Sequence, residues 1–317
     1  MMKAVRLIVL TAMLLLFQMN ISAWDDTGHM VVAYIAYTHL DPSVKLKVNK
    51  LLLPSAENGG KSWIQLCGRK YNPVTIANWM DDLRGIAKPA PFAEWHYINF
   101  NPLFTADFPA TIQKDQIKPA ETNVLTQIVW AIKQLQSARK FDKTIKTKDD
   151  ETSAYALAYL IHLVGDVHQP LHCTTRYSKK YPGGDFGGNL FSIKSPETYN
   201  SLHAFWDGAG GLFDFESIER PADNSIPPEI ASLAKEVTDK VPATNSEWKN
   251  ATEPEKWVEE SNSIAREFAF NPQFIADNED KAPSQDYINK AQEKARMRLA
   301  FAGYRLAETI NRIYTAP

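Results

Sequence analysis

The stretch AYLIHLVGDVHQPLH, residues 158–172, carries apolar side chains at Ala158, Leu160, Ile161, Leu163 and Val164, yet three histidines and an aspartate interrupt it. The apolar positions fall on nearly every side of a 3.6-residue spiral, which predicts a helix buried all round. His162 and Asp166 stand four residues apart and project from one face of that helix. Pro170 cannot continue the helix and disfavours helical geometry at Gln169. The chain therefore turns just before His172, which the turn can re-aim toward the same place. His168, two positions from Asp166, points the other way and reads as structural. A buried carboxylate needs a cation or several hydrogen bonds to stay ionised. Zinc is one such cation, and neutral imidazole with carboxylate suits it; alone, the pair reads equally as a hydrogen-bonded core pair.

It does not stand alone. His203 and Asp207 in NSLHAFWDG are again four apart on a short helical reading, Asp81 and Asp82 sit in ANWMDDLRG, His96 in EWHYINF, and His29 at a helix start in TGHM. Of the seven histidines in the chain, His29, His96, His162, His172 and His203 all lie beside apolar or aromatic residues. His39 matches no such pattern and reads as structural. Helical spacing recurs over 27–40, with Thr27 as N-cap, and over 44–53, 74–84, 123–139, 152–166, 257–271 and 284–314. Strand signals are scarce. A short hairpin near 182–194, where glycines flank an alternating run, is the one candidate, and 101–121 and 214–255 read as surface loops. The expected fold class is all-α, a single mostly helical domain over 24–317. The tryptophans at 63, 79, 95, 130, 206, 248 and 257 read as core anchors.

Residues 1–23 have the layout of a secretory signal peptide: Lys3 and Arg6, an uncharged run from Leu7 to Phe17, then Ser22 and Ala23. That run is too short for a bilayer, which needs about 20 residues, so no membrane anchor is expected once it is cut. Cleavage after Ala23 would make Trp24 the first residue of a secreted or periplasmic protein. The full chain has 35 Lys and Arg against 37 Asp and Glu; losing Lys3 and Arg6 leaves 33 against 37, a net charge of −4. No global field attracts nucleic acid, so any grip on phosphate must be local. Cys67 and Cys173 either form one bridge or stay as two buried thiols; the sequence leaves both open.

In order, WDDTGH (24–29), WMDDLR (79–84), WHYIN (95–99), HLVGDVHQPLH (162–172), GGN (187–189) and LHAFWD (202–207) resemble the motifs of the zinc-dependent single-strand-specific nucleases. These are the secreted fungal nucleases and the plant bifunctional nucleases, or nuclease/3'-nucleotidases, in one superfamily with zinc-dependent phospholipase C. AGYRLAETIN (302–311) is similar to the family's closing helix. The resemblance implies three zinc ions per chain. Asp81, His96, His162 and Asp166 would hold one; His29 with the amino group and carbonyl of Trp24 would hold a second, bridged through Asp166; His172, His203 and Asp207 would hold the third. An amino-group ligand exists only if the chain is cut at Ala23–Trp24, so an uncut precursor is expected to be inactive or poor in metal.

The family's substrates are single-stranded DNA and RNA and 3'-nucleotides, and a monomer is expected. Two zinc ions about 3.5–4 Å apart ionise a water near neutral pH and clamp a phosphate. Asp81 would orient that water as well as ligate. Arg84, three residues on, is either a clamp on a phosphate oxygen or an ordinary surface ion pair. Tyr97 matches the position of a base-stacking aromatic, while Asn99 and Asn189 sit where the family reads base edges. Family members often carry Asp where this chain has Asn99, which bears on base preference. Asp82 and Asp185 read as solvated or hydrogen-bonded loop carboxylates. Two rival readings are a phospholipase C, whose last ligand pair is usually His-x3-Glu, and a non-enzymatic zinc-binding protein. Asp207 and the five-residue gap from Trp24 to His29 favour the nuclease.

Overall fold

The computed structural model describes residues 24–54, 62, 64, 69–84, 86, 92–140, 148–194, 199–213, 218–271 and 279–315. The expected signal peptide, Trp63 and Cys67 lie outside them. Among the described residues the order is α1 (Asp26–Thr38), α2 (Pro42–Leu52), α3 (Trp79–Arg84), β1 (Leu103–Phe104), α4 (Val124–Lys140), α5 (Lys148–His168), β2 (Arg176–Tyr177), α6 (Leu202–Asp207), α7 (Pro228–Lys240), α8 (Pro254–Ile264) and α9 (Gln285–Thr315). The fold is all-α, as its periodicity predicts.

The central element is α5. Every residue from Ala156 to His168 is buried, because α4, α9, α1 and α8 pack around it. An apolar surface on all sides can be satisfied only by neighbours on all sides. The helix stops at His168, Gln169 is extended, and Pro170–Cys173 form a 3-10 turn, which is the break that Pro170 imposes. Asp25 rather than Thr27 is the N-cap of α1. Its carboxylate accepts from Gly28 N at 2.8 Å, satisfying a first-turn N–H that lacks a helical partner.

Two regions differ from the expectation. The 214–255 stretch is not all loop: α7 begins at Pro228 and buries Ile230, Ala234 and Val237 along one face. Proline at the first helical position suits a helix start, since no N–H is lost there, but in the sequence it reads as a breaker. Residues 182–194 form turns, not a hairpin, with Phe186, Gly184, Gly187 and Gly188 at positive φ and one isolated bridge from Ser192 to Ser201. Consecutive left-handed residues cannot hold a pleat. The small sheet that does form is parallel, pairing Leu103 with Arg176 and Phe104 with Tyr177.

Behind α5 lies a buried polar network. Arg298 and Arg305 of α9 are 1% and 2% exposed. Arg298 Nε donates to the His168 carbonyl at 3.1 Å, and Arg305 Nη1 lies 3.0 Å from His168 Nε2. Both guanidinium groups donate to Glu260, at 2.6–2.9 Å, and Arg298 also to Ser261 Oγ. Burial and the two guanidinium groups push His168 well below the usual imidazole range, so it is a neutral, structural histidine. Cys173 is a buried free thiol whose Sγ donates to the Val167 carbonyl, and burial raises it to about 12.

Removing Glu260 leaves two buried cations without their anion. Breaking such a group costs about 3–5 kcal/mol, and Glu260 keeps 32% of its side chain exposed, which puts Glu260→Ala near the lower end. Urea unfolding should show that loss, with Glu260→Gln intermediate. A change within about 0.5 kcal/mol, as for an ordinary surface site, would contradict the network's role.

Candidate metal centre

Four segments bring five polar side chains to one point. His29 comes from the first turn of α1, Asp81 from α3, His96 from the 3-10 turn Ala93–His96, and His162 and Asp166 from successive turns of α5. His29 Nε2 lies 3.3 Å from Asp166 Oδ1, while His96 Nδ1 and His162 Nε2 lie 3.0 and 3.3 Å from Asp166 Oδ2. The same three nitrogens lie 3.9–4.0 Å from Asp81. The three imidazoles and Asp166 have no exposed surface. Gly165 makes room for this: a Cβ there would meet His29 Nδ1 at 2.7 Å.

A second group forms beside the first. His172 Nε2 and His203 Nε2 lie 3.7 and 3.6 Å from the Asp207 oxygens and 3.1 Å from each other. The groups are tied through His96, whose ring faces Asp166 while its carbonyl accepts from His172 Nδ1 at 2.6 Å. Trp24 sits at the junction, fully buried, its Nε1 donating to the Gly165 carbonyl at 2.9 Å. Asp25 N donates to the Asp207 carbonyl at 2.9 Å.

The donor chemistry fits metal. The Nδ1 atoms of His162, His172 and His203 each face a backbone carbonyl, of Ala77, His96 and Gly187. A carbonyl only accepts, so each Nδ1 carries the proton of the neutral imidazole and Nε2 is the nitrogen left to ligate a cation. This is the outer arrangement that metal-bound imidazoles use. His172 and His203 thus aim two lone pairs and a carboxylate at one small volume, which repel without a cation between them. Zinc bonds of about 2.0–2.1 Å to nitrogen, near the tetrahedral angle, place two ligand atoms about 3.3 Å apart. Both Asp166 oxygens, both His29 nitrogens, His96 Nε2 and Asp81 Oδ1 are buried without a hydrogen-bond partner. Leaving so many strong groups unsatisfied is costly, and a cation satisfies them together. Groups of metal-binding geometry form at His29–His162–Asp166, Asp81–His96–His162 and His172–His203–Asp207.

The electrostatics of the two groups point the same way. Burial opposes ionisation of Asp166, but the His162 charge overrides it and holds the carboxyl well below its usual range. Burial likewise opposes His162, yet Asp166 and Asp81 raise it to about 9. Burial and then Arg84 lower His96 to about 4, and burial and His162 lower His29. Burial drives Asp207 well above the carboxylate range, against the pull of His203. In the first group the two carboxylates favour positive charge on His162.

Of the other predicted residues, Arg84 is not a surface pair: 12% exposed, it lies 3.2 Å from Asp81 Oδ1. Tyr97 and Asn99 line a pocket with Leu171, Thr174, Thr175, Phe186, Gly187 and His203. Asn99 Oδ1 accepts from Thr175 Oγ1 at 2.6 Å. Asn189 does not join that lining; its Nδ2 donates to the Phe186 carbonyl, so it braces the turn. Asp185 is fully buried, not solvated, and accepts from Arg176 N, Arg176 Nε and Gly188 N. Asp82 accepts from Arg69, Tyr71 and both Nη atoms of Arg220.

Phe186 is the feature that sequence reasoning missed. It is 47% exposed, at φ 54°, at the pocket, and its place between glycines in GGDFGGN was the available signal. Gly187 beside it could be nothing else, since at φ +64° its Cβ would meet the Leu171 carbonyl at 2.4 Å. Arg220 was missed too, because no local spacing links it to Asp82.

The sequence profile described as S1/P1 Nuclease matches residues 24–315. Endonuclease 2 of Arabidopsis thaliana is 26% identical over 326 residues, covering 97% of this chain and 96% of that protein. Endonuclease 3 of the same plant is 25% identical, covering 92% and 90%. Nuclease P1 of Penicillium citrinum is 24% identical, covering 92% and 98%.

A pH experiment follows from the His162 shift. A group raised from 6.5 to about 9 on folding adds stability that is complete below pH 6.5 and lost as pH climbs through 9. The raised Asp207 has the same sign, and the lowered His29 and His96 act only below pH 6.5. Calorimetry on chelator-treated protein should therefore show Tm falling from pH 7 to 9. Zinc-loaded protein should show little of that fall, because the cation replaces the proton; equal slopes would count against metal at this site.

Proposed function

The chain belongs to the S1/P1 nuclease family, and from that premise we propose that it is a zinc-dependent endonuclease. It hydrolyses phosphodiester bonds of single-stranded DNA and RNA to 5'-phosphorylated products and removes phosphate from 3'-nucleotides. The observation that carries this reading is that His203 belongs both to a metal-binding group and to the pocket lined by Tyr97 and Phe186. A base held there brings its own phosphate to the His172–His203–Asp207 group.

Three zinc ions would be held by Asp81, His96, His162 and Asp166; by His29 and the Trp24 amino group and carbonyl; and by His172, His203 and Asp207. Bound zinc supplies Lewis acidity at the phosphoryl oxygens and a water acidic enough to ionise near neutral pH. Asp81 orients that water, with Arg84 beside it to receive a phosphate oxygen by charge-assisted hydrogen bonds. Tyr97 and Phe186 hold the base by its faces. Stacking tolerates any base but demands one free of its own stack, which selects single strands. The amino-group role of Trp24 requires the cut after Ala23, and the family match beginning at residue 24 supports that boundary. A secreted or periplasmic monomer of one domain, 24–317, is the matching picture. No described helix is long and apolar enough to cross a membrane.

The test uses protein whose N-terminus is verified as Trp24. It should cleave single-stranded DNA and RNA, lose that activity to chelator, regain it with zinc, and leave 5'-phosphates. Full zinc loading with no cleavage would favour an inert zinc-binding protein. Separately, Tyr97→Ala and Phe186→Ala should each weaken substrate binding by about 1–3 kcal/mol, the value of one stacked base. That loss should appear mainly in KM, with zinc content unchanged. An unchanged KM in both variants would remove the pocket from the reading.

A further inference from the structure

We propose that Gln169 is a positioning residue that holds the Asp207 carboxylate in place for the His172–His203–Asp207 metal group. The inference rests on the metal reading above and goes beyond its direct ligands. Gln169 is fully buried between the end of α5 and the turn that presents His172. Its Oε1 accepts from Leu171 N at 2.5 Å. A backbone N–H can only donate, so this contact fixes which end of the amide is oxygen. The other end must then be the NH2 group, and it donates to Asp207 Oδ1 at 2.6 Å.

One amide therefore does two things. It closes the turn carrying His172, and it reaches a carboxylate on α6, 38 residues away. Its bond falls on the Asp207 oxygen that faces His172, 3.7 Å from Nε2, leaving Oδ2 toward His203 at 3.6 Å. With the two imidazoles already fixed through the His96 and Gly187 carbonyls, the carboxylate is the third donor needing a restraint. Gln169 supplies it. Partners of this kind typically contribute 10–100-fold to metal affinity.

The experiment measures zinc binding by the whole mature protein, without nucleic acid. Zinc per chain is read by mass spectrometry across a series of buffered free-zinc concentrations, for wild type, Gln169→Leu and Gln169→Asn. Leucine keeps the volume and removes both hydrogen bonds; asparagine keeps the chemistry but is one methylene too short to span both partners. Both should weaken one zinc by about 10–100-fold and leave the others within twofold. In an Asp207→Asn background, Gln169→Leu should lower zinc content no further.

Wild-type affinity at every site in either variant would overturn the proposal. So would equal weakening of all sites with a lowered metal-free Tm, the mark of a purely structural residue. Wild-type protein that takes no zinc at this group would overturn both this inference and the metal reading, told apart because the wild type itself fails. Absence of nuclease activity in fully loaded protein would strike the proposed activity and leave the titration readable.

Discussion

A carboxylate with no exposed surface, Asp166, sits on α5, where every residue from Ala156 to His168 is buried, and faces three imidazoles. Taking such a charge out of water costs several kcal/mol, recovered only by close positive charge with good geometry. The need for that charge organises the segments around it. His162 lies one turn back on α5, and α1, α3 and the 93–96 turn converge to deliver His29, Asp81 and His96. Asp166 and Asp81 in turn raise His162 to about 9, yet neither oxygen of Asp166 has a hydrogen bond of sound geometry.

The two candidate metal groups are tied to each other by the backbone. His96 gives its ring to the first and its carbonyl to the second, and Asp25, beside Trp24, anchors on the Asp207 carbonyl. A shift of the 93–97 segment would move both groups and Tyr97 with them. The C-terminal third of the chain supplies none of these polar groups but fixes their frame. Arg298 and Arg305 of α9 grip the end of α5 at His168, one turn before the break that presents His172. Rigid support of this sort keeps metal ligands within the narrow tolerance that coordination demands.

What could be read from the sequence follows the range of the interactions involved. His162–Asp166 and His203–Asp207 were legible because both partners lie on one helical face, and α5 itself because apolar residues surround it. The turn before His172 followed from Pro170 alone. The α7 helix was not legible because Pro227 and Pro228 sit at its start in a stretch otherwise rich in Asp, Asn and Ser, where helix and loop share a composition. β1 and β2, two residues each and paired from Leu103 to Arg176 and Phe104 to Tyr177, have no periodicity to find. Phe186 escaped because a strained left-handed turn, not a pattern, aims it at the pocket. The pairing of Arg220 with Asp82 spans 138 positions and leaves no local trace.

The acidic balance of the chain bears on how it selects substrate. With 37 acids against 35 bases overall, the net charge supplies no global field to draw in a polyanion. Attraction is confined to where divalent cations would outnumber the carboxylates of Asp81, Asp166 and Asp207, with Arg84 alongside. If three divalent ions are bound, those three carboxylates leave a local surplus of about +3 before hydroxide binds. A field that compact reaches little beyond one Debye length, about 8 Å at physiological salt, which spans one or two nucleotides. On the proposed function, recognition would then rest on a single phosphate and the base attached to it. A duplex presents its phosphates readily but keeps its bases stacked and out of reach of Tyr97 and Phe186. On the proposed function, the same local charge that would let an acidic protein grip nucleic acid would also make an unstacked base a condition of productive binding.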